Sequence, residues 1–407
     1  CLCLDHLPLG RSFRIGSYGV IVTGKYFTDR EAELAELKLD VRSGQNVVII
    51  SPRRYGKTSL VFQAMDDLVS EGVLVAYVDL MLSETKAEFA NALANALYDG
   101  LVAPFDRAWK KAGDFFSRLS LRPRFSVDDT GKPVVELAMS AAERDVDRIL
   151  RDLLALPGRI AKDRKRPVVV VMDEFQQIIN LDRHLPASMR SIFQQQREVS
   201  HVFLGSKRHI MTEVFTGDNQ PMYRLAKALP LGVIDRDVFA RFLRDRFAST
   251  ETPVVGDAIA RILDITGCHP HDTQQLAYFT WSHAHLQQRP VTLELVDQAF
   301  SRVLEAEDNR FTTLWDDLPR SQRLVLKALA AEGDRGVFSE EYRLRHGLGA
   351  PTTVQGALKA LGKKDLIEST PEGYAISDRL LSAWILRYRR SPEPSMRIAR
   401  RPLPTDD

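Results

Sequence analysis

The stretch Asn46-Val-Val-Ile-Ile-Ser51, which continues directly into Pro52-Arg-Arg-Tyr-Gly-Lys-Thr58, decides the fold of this chain. Its first half is a short apolar run rich in β-branched residues, which is typical of a strand buried on both faces. Proline and glycine then interrupt the run, and a helical pattern of apolar residues begins at Leu60. Strand, turn and helix in this order is the context that a phosphate-binding loop requires.

The turn matches the phosphate-loop pattern G-x-x-x-x-G-K-[ST] except at its first position, where Ser51 replaces glycine. We expect Gly56 to allow a tight turn whose backbone N–H groups face phosphate oxygens. Lys57 is expected to place its charge on the β- and γ-phosphates, and the Thr58 hydroxyl to bind Mg²⁺. The other loop residues expected to contact the nucleotide are Pro52, Arg53, Arg54, Tyr55 and Ser59. The alternative is an ordinary turn with a surface lysine, and for the two arginines solvent exposure is as compatible with the sequence as phosphate contact.

A second apolar strand, Pro167-Val-Val-Val-Val-Met172, ends in the acid pair Asp173-Glu174. In open α/β sheets, ligands bind at the carboxyl ends of the strands. We expect Asp173 to bind Mg²⁺, partly through water, and Glu174 to polarise the water that attacks the γ-phosphate. Because strands often end in solvated acids, the pair is informative mainly in combination with the lysine loop.

The next strand leads into Gly205-Ser206-Lys-Arg208. A polar residue at the end of the strand beside the acid pair can orient water or contact the γ-phosphate, and Ser206 is the residue expected there. Arg208 could contact the same phosphate, with a solvated basic turn as the alternative. Asp79 ends the second strand, and it is either close to Mg²⁺ or the cap of a helix.

Strands that alternate with helices predict a parallel sheet with helices on both faces, the α/β class of a P-loop NTPase core. We expect this AAA-like core to span residues 26–234, after an irregular leader at 1–25. A β-hairpin is expected as an excursion near 120–138, because Asp128-Asp-Thr-Gly131 separates two apolar strands. Three further elements expected in the core are a helix at 29–41 with Thr28 or Asp29 as N-cap, a helix at 189–197 and a last strand at 228–231.

After residue 235 the helical patterns continue without strands, which predicts a helical lid domain at 235–311. Gly267-Cys-His-Pro270 forms the turn that starts one of its helices. We expect Pro270 to lie against the adenine ring. His269 and His271 have no cysteine or carboxylate partners at metal-binding spacing, so a zinc site is not expected there.

Two further helices followed by a short β-wing predict a winged-helix domain at 312–390, with a flexible basic tail at 391–407. The second helix would present Thr352, Thr353, Gln355 and Lys359 outward, a set that can contact phosphates and bases. Winged helices also contact proteins or act as autoinhibitory lids. DNA is therefore one candidate partner of this domain, and another protein or a second copy of the chain is the alternative.

Composition limits the class of protein. Hydrophobic residues form 44% of the chain and charged residues 27%, which is the balance of a globular protein. The net charge of +2 does not by itself indicate a nucleic-acid partner. Three cysteines provide no disulfide framework, and no apolar run approaches the roughly 20 residues of a membrane helix. We therefore expect a cytoplasmic protein without a membrane partner.

With these motifs, the chain resembles the archaeal-type ATPases of the STAND class, which are related to AAA+ proteins. The resemblance is carried by Phe27-Thr-Asp-Arg-Glu31, Ser51-Pro-Arg-Arg-Tyr-Gly-Lys-Thr-Ser59, residues 168–174, Gly205-Ser206, Gly267-Cys-His-Pro270 and the C-terminal winged helix. It implies a core, a lid and a winged helix that close over ATP or ADP, with Arg30 near the adenine and Arg208 as the phosphate-sensing arginine. Many members carry sensor repeats after the winged helix, where this chain has a short basic tail.

The resemblance also implies a slow ATP-hydrolysing switch that changes its domain arrangement when the γ-phosphate is lost. The preference for ATP over GTP rests mainly on the same resemblance. The alternative hypothesis is a DNA-binding regulator in which the nucleotide only sets the conformation. A scaffold with a degenerate site is a third hypothesis, and the intact set of Lys57, Thr58, Asp173 and Glu174 argues against it.

Overall fold

The computed structural model describes residues 29–102, 143–217, 220–371 and 373–389, the single residues 24 and 27, and the backbone of two strands within 123–137. The predicted leader, apart from Gly24, and the predicted tail lie outside these residues. The chain divides into two compact units, Cys1–Leu293 and Glu294–Asp407. Each unit is built from elements that the hydrophobic pattern of the sequence favours.

The first unit alternates strands with helices up to its last three helices. In chain order it contains α1 (Glu31–Arg42), β1 (Val47–Ile50), α2 (Lys57–Ser70), β2 (Leu74–Asp79), α3 (Lys86–Leu97), a π-helical turn (Tyr98–Val102), β3 (Pro123–Val127), β4 (Pro133–Leu137), α4 (Glu143–Arg164), β5 (Val168–Asp173), α5 (Gln177–Leu181), α6 (Leu185–Phe193), β6 (Val199–Gly205), α7 (Arg208–Phe215), β7 (Lys227–Ala228), α8 (Arg236–Ala248), α9 (Ala258–Thr266) and α10 (Pro270–Gln287).

A five-stranded sheet forms the centre of this unit, with the order β2-β5-β6-β1-β7. Every pair of neighbouring strands in it is parallel. On one face, α1 and α2 pack Leu37 and Leu60 into an apolar cluster with β1 and β5. On the other face, α3 and α4 pack Phe89 and Leu153 into a second cluster. This is the fold class expected from the sequence, a P-loop NTPase core with helices on both faces.

The carboxyl ends of β1, β5 and β6 lie at one edge of the sheet, because parallel strands all run in the same direction. Ile50 at the end of β1 lies opposite Gly205 at the end of β6. Asp173 at the end of β5 lies opposite Asp79 at the end of β2. The loops that follow these strands therefore meet, which brings the predicted phosphate loop and acid pair together. Outside this sheet, β3 and β4 pair antiparallel within the interval where a hairpin was expected.

The start of α1 differs from the expectation. Of the two expected N-caps, Thr28 lies outside the described residues and Asp29 does not cap the helix. Arg30 is at the N-cap position, with a φ of 80° and no capping side chain. The Asp29 carboxylate instead accepts a hydrogen bond of 2.9 Å from the backbone N–H of Asp235. It thereby joins the start of α1 to the start of α8, a long-range contact that local sequence does not reveal.

The bounds of two other elements also differ from those expected from the sequence. The helix expected at 189–197 is α6, which begins earlier and ends at Phe193; Pro186 in its first turn fits a helix start, where no backbone N–H is needed. The strand expected at 228–231 is the short β7. The Leu229 N–H still donates to Val48, but Pro230 has no N–H with which to continue the pairing.

The second unit is a bundle of helices with a small hairpin. It contains α11 (Leu293–Asp316, whose first residue belongs to the first unit), α12 (Arg320–Glu332), α13 (Glu340–His346), α14 (Pro351–Lys363), β8 (Ile367–Thr370), β9 (Gly373–Ile376) and α15 (Arg379–Tyr388). Helices α12, α13 and α14 followed by the antiparallel β8–β9 wing form the expected winged helix. α11 runs without a break through residues 311 and 312, where the sequence suggested that the lid ends.

None of the helices in the described part of the chain combines the length and the apolar character that a bilayer crossing requires.

Candidate active site

The phosphate loop connects β1 to α2 through two residues in the left-handed backbone region. Arg54 has a φ of 68° and Gly56 a φ of 84°, and glycine adopts the latter without steric cost. Gly56 is the N-cap of the 14-residue helix α2, and it cannot cap the helix with a side chain. The first N–H groups of α2 therefore face the loop without a capping side chain, which is the arrangement that binds a phosphate at a helix N-terminus.

Lys57 is folded under the loop. Its ammonium group donates hydrogen bonds of 2.8 Å to the carbonyl oxygens of both Ser51 and Pro52, and only 6% of the residue is exposed. Burial lowers the pKa of Lys57 to about 8; Glu174 and Asp173 act to raise it, whereas Arg53 and Arg208 lower it further. The charged groups of the loop and of the acid pair are thus close enough to influence one another.

Asp173 is the hydrogen-bonding centre of the site. Its Oδ2 accepts from the Thr58 hydroxyl at 3.0 Å and from the Tyr77 hydroxyl at 2.9 Å. Its Oδ1 accepts from the backbone N–H of Glu174 at 2.8 Å. Burial raises the pKa of the carboxyl group, and these donors counteract it. The three contacts orient Asp173 between the phosphate loop, β2 and the end of β5.

This arrangement fits a Mg²⁺ ion. Mg²⁺ prefers oxygen ligands and is commonly held by one or two protein groups together with phosphate oxygens and water. Thr58 and Asp173 present a hydroxyl and a carboxylate oxygen only 3.0 Å apart, at the mouth of the phosphate loop. An ion there would neutralise charge on the phosphates.

Glu174 follows Asp173 with a φ of 52°, an uncommon backbone conformation for a residue other than glycine. Its Oε2 accepts a hydrogen bond of 2.9 Å from the Ser206 hydroxyl and a second one from the Gln176 side-chain amide. The carboxylate is half-buried, whereas Ser206 and Gln176 are buried. The structure therefore places Glu174 and Ser206 in direct contact, as expected for the ends of neighbouring strands.

The remaining basic and acidic candidates are more peripheral. Arg53 and Arg54 are exposed on the loop, and Arg208 is the first residue of α7. Asp79 accepts a hydrogen bond of 2.9 Å from the backbone N–H of Met81, in the turn after β2. It does not cap the following helix, because α3 is capped by Thr85 in a reciprocal capping box.

A cavity of about 500 Å³ lies between the start of α1, the segment before α8 and the turn before α10. Its walls include the buried Arg30, Ile234 and Cys268 and the half-exposed Val233. Arg30 donates hydrogen bonds to Glu33 and to the carbonyl oxygen of Gly232, so its guanidinium is held at the cavity wall. Pro270 is buried two residues beyond Cys268, as the first residue of α10.

The phosphate loop contacts the start of α10. The ring of Tyr55 packs edge-on against the ring of His269, with 4.7 Å between the ring centroids. His269 is the N-cap of α10, and its Nδ1 lies 3.3 Å from the carboxylate of the buried Asp272. Although burial works to raise the pKa of Asp272, the hydrogen bonds from His269 and His271 hold it well below its usual range.

Sequence reasoning did not identify Tyr77, Gln176 or His269 as site residues. Gln176 could have been suspected because it follows the acid pair by two residues, in the turn after β5. His269 could have been suspected because it precedes Pro270 at a helix start. Tyr77 has no local signal, since an aromatic residue in a strand is ordinary.

A parallel sheet with a lysine loop after β1 and an acid pair after β5, together with a winged helix in the second unit, defines a P-loop NTPase. The chain belongs to the family described as ATPase domain predominantly from Archaea, whose model matches residues 27–276. A second family model, described as probable winged helix domain, matches residues 309–387. The protein is therefore a P-loop ATPase.

Three solved structures that are similar to this chain are distant from it in sequence. A Walker-type ATPase of Pyrococcus abyssi is 17% identical, with a TM-score of 0.62, over 89% of this chain and 97% of that chain. The Aeropyrum pernix ORC1 protein in complex with DNA is also 17% identical, with a TM-score of 0.48, over 89% and 94%. The RuvB Holliday junction branch migration motor of Thermotoga maritima is 14% identical, with a TM-score of 0.43, over 91% and 98%. Among curated proteins, none matches this sequence.

Proposed function

We propose that this protein is a nucleotide switch of the STAND type, which hydrolyses ATP slowly and changes the arrangement of its lid and winged helix when the γ-phosphate is lost. The observation that supports a switch is the contact between Tyr55 of the phosphate loop and His269 at the start of α10. Through it, a change in the loop on nucleotide binding acts directly on the lid. The proposed domains are a core at 26–234, a lid at 235–311 and a winged helix at 312–390.

The roles of the phosphate-side residues follow from their positions. Lys57 would exchange its carbonyl partners for the β- and γ-phosphates, and Thr58 and Asp173 would hold Mg²⁺. Glu174 would accept a proton from the attacking water, and Ser206 and Arg208 would contact the γ-phosphate. The other loop residues proposed to contact the nucleotide through backbone or side chain are Pro52, Arg53, Arg54, Tyr55, Gly56 and Ser59.

The base would occupy the cavity of about 500 Å³ between α1 and the turn before α10. Arg30 lies in its wall, and Pro270 is close enough in the chain to approach the adenine after a small movement of that turn. A cavity of this size falls within the range that holds a small ligand.

Single-turnover ATP hydrolysis tests the proposed catalytic site. The wild-type protein should convert bound ATP slowly, Glu174→Gln should bind ATP without converting it, and Lys57→Ala should fail to bind. Normal conversion by Glu174→Gln would show that Glu174 is not the residue that activates water. Small-angle scattering of Glu174→Gln with ATP and of wild type with ADP then tests the switch, which requires different domain arrangements in the two states.

A second candidate function is nucleotide-regulated DNA binding through α14. Its support is the exposure of a polar and basic face on this helix, made by Thr352, Thr353, Gln355, Lys359 and Lys363. Duplex binding by the full chain should then weaken steeply with salt, because bound phosphates release counterions. Lys359→Glu should abolish it, whereas Lys165→Glu, which changes the same charge on the first unit, should not. Absence of binding at low salt would leave a protein partner or self-association as the role of the domain.

A further inference from the structure

The carboxylate of Glu174 has two side-chain donors on the same oxygen. The Ser206 hydroxyl donates to Oε2 at 2.9 Å, and the Gln176 amide nitrogen donates to the same atom. The Gln176 amide nitrogen also lies 3.4 Å from the Ser206 oxygen. An amide group carries two hydrogens, so Gln176 can bond to Glu174 and to Ser206 at once.

The backbone holds Gln176 firmly in place. Its neighbour Phe175 donates its N–H to the carbonyl oxygen of Leu204 in β6 at 2.9 Å, and the Ile179 N–H donates to the Gln176 carbonyl at 3.3 Å. The side chain is 1% exposed. Gln176 is therefore buried in a turn that is hydrogen-bonded to β6, whereas Glu174 is half-buried.

The amide is not explained by its contribution to stability. With its NH₂ group turned to Glu174 and Ser206, its oxygen Oε1 is buried and has no hydrogen-bond partner among the described residues. An unsatisfied buried acceptor destabilises the folded state, and an apolar side chain of the same length would avoid that penalty. The amide instead donates hydrogen bonds that orient the side chains of Glu174 and Ser206.

We propose that Gln176 is a positioning residue for ATP hydrolysis, which fixes the Glu174 carboxylate and keeps it in place when Ser206 changes its partner. This inference rests on the proposed role of Glu174. Ser206 has one hydroxyl proton, which it donates to Glu174 in this structure. It cannot donate that proton to a γ-phosphate at the same time. When the hydroxyl turns to the phosphate, the amide of Gln176 still holds Glu174.

The test is steady-state ATP hydrolysis by Gln176→Met over a range of ATP concentrations, together with thermal melting. Methionine keeps the length of the side chain and removes both amide hydrogens. We expect kcat to fall by about 10- to 100-fold, the order that a misplaced catalytic group produces, with KM for ATP within about twofold of wild type. The melting midpoint should be equal to that of wild type or higher. An unchanged kcat, or a lowered midpoint, would overturn the proposal.

Two variants complete the test. Gln177→Met, at the next position of the chain, changes a side chain that contacts Met81 and Asn180 rather than the Glu174 carboxylate, and it should keep the wild-type kcat. An equal loss there would assign the effect to the turn and overturn the role of Gln176. Gln176→Glu should be as impaired as Gln176→Met at pH 8 and should recover partly as the pH falls, because only the protonated carboxyl can donate to Glu174. Wild-type kcat for Gln176→Glu at pH 8 would also contradict the proposal.

Failure of the proposed function gives a different result. If Glu174→Gln hydrolyses ATP normally, the proposed role of Glu174 is wrong, whatever the kcat of Gln176→Met. If Glu174→Gln is inactive and Gln176→Met is normal, the role of Glu174 stands and only the positioning role of Gln176 is lost.

Discussion

The Thr58 hydroxyl donates a hydrogen bond of 3.0 Å to the Asp173 carboxylate, although 115 residues separate the two in the chain. Thr58 lies in the first turn of α2, directly after the phosphate loop, and Asp173 ends β5, which is two positions from β1 in the sheet. A hydroxyl and a carboxylate that already touch present both oxygens to a Mg²⁺ ion with little rearrangement. The contact thus links the fold directly to the expected metal dependence of the enzyme.

Removal of the Thr58 hydroxyl should abolish the benefit that Mg²⁺ brings to nucleotide binding. In Thr58→Val, we expect ATP affinity without Mg²⁺ to stay within about threefold of wild type, whereas added Mg²⁺ no longer tightens it. Isothermal titration with and without the ion measures both values. Thr58→Ser keeps the hydroxyl and should behave as wild type; a normal Mg²⁺ effect in Thr58→Val would exclude this residue as a ligand.

Tyr77 should affect the affinity for Mg²⁺ indirectly, through its hydrogen bond to Asp173. Its hydroxyl donates to Asp173 at 2.9 Å, so Tyr77→Phe leaves the carboxylate less well oriented. Loss of such a supporting hydrogen bond typically weakens metal affinity by about 10-fold or more. We therefore expect the Mg²⁺ concentration for half-maximal hydrolysis to rise by roughly tenfold, with little change at saturating Mg²⁺. Tyr98→Phe, at another tyrosine of the first unit, is the control and should leave the Mg²⁺ requirement unaltered.

His201 should make the folded state sensitive to acid. It is fully buried in β6, stacks on Phe193 with 3.8 Å between the ring centroids and faces the Asn46 side chain at 3.1 Å. Burial lowers the pKa of His201 to about 3, from an ordinary value of 6.5. The unfolded chain therefore takes up a proton as the pH falls through 6.5, while the folded chain does so only near pH 3. The free energy of unfolding decreases across that window.

Urea unfolding at pH 7.5 and pH 5 measures this effect. One unit of pKa difference corresponds to about 1.4 kcal/mol, so wild type should lose about 2 kcal/mol more than His201→Leu between the two pH values. His184→Leu, which removes an exposed histidine, should retain the wild-type pH dependence. Equal losses in wild type and His201→Leu would contradict the prediction.

Alanine substitution at two glycines should change the free energy of unfolding in opposite directions. A Cβ added to Gly100, in the π-helical turn, would lie 2.0 Å from the backbone oxygen of Val75, which cannot move aside without distorting β2. Gly100→Ala should destabilise by about 1–3 kcal/mol or more. At Gly356 in α14 the same atom meets nothing within 4 Å, and Gly356→Ala should stabilise by about 1 kcal/mol through helix propensity. Urea midpoints of the two variants check both signs.

The meeting of the lysine loop and the acid pair was predictable from the sequence for a simple reason. Both follow short apolar strands, and the carboxyl ends of parallel strands share one edge of a sheet. The winged helix was likewise visible in its helix, helix and hairpin pattern, although the seven-residue α13 was missed because it is too short to show a period.

The supporting contacts were not predictable, because they depend on which strands are neighbours. Tyr77 reaches Asp173 only because β2 pairs with β5, and the sequence gives no sign of that order. For Gln176 the neighbouring strand was expected, since Ser206 was placed beside the acid pair, but the sequence does not show that the Gln176 side chain turns toward Ser206. The prediction of Asp29 as an N-cap of α1 was wrong for a similar reason. Its carboxylate accepts a hydrogen bond from the backbone N–H of Asp235, about two hundred residues away, rather than from the first turn of its own helix.

The place of β6 between β1 and β5 has one more consequence. Neighbouring strands are about 4.8 Å apart, so the inserted strand places the backbones of β1 and β5 about 10 Å apart. The Thr58 and Asp173 side chains span this distance and meet at 3.0 Å, while the end of β6 between them brings Ser206 to Glu174. The inserted strand thus fixes how far the side chains of the two motifs must extend in order to meet.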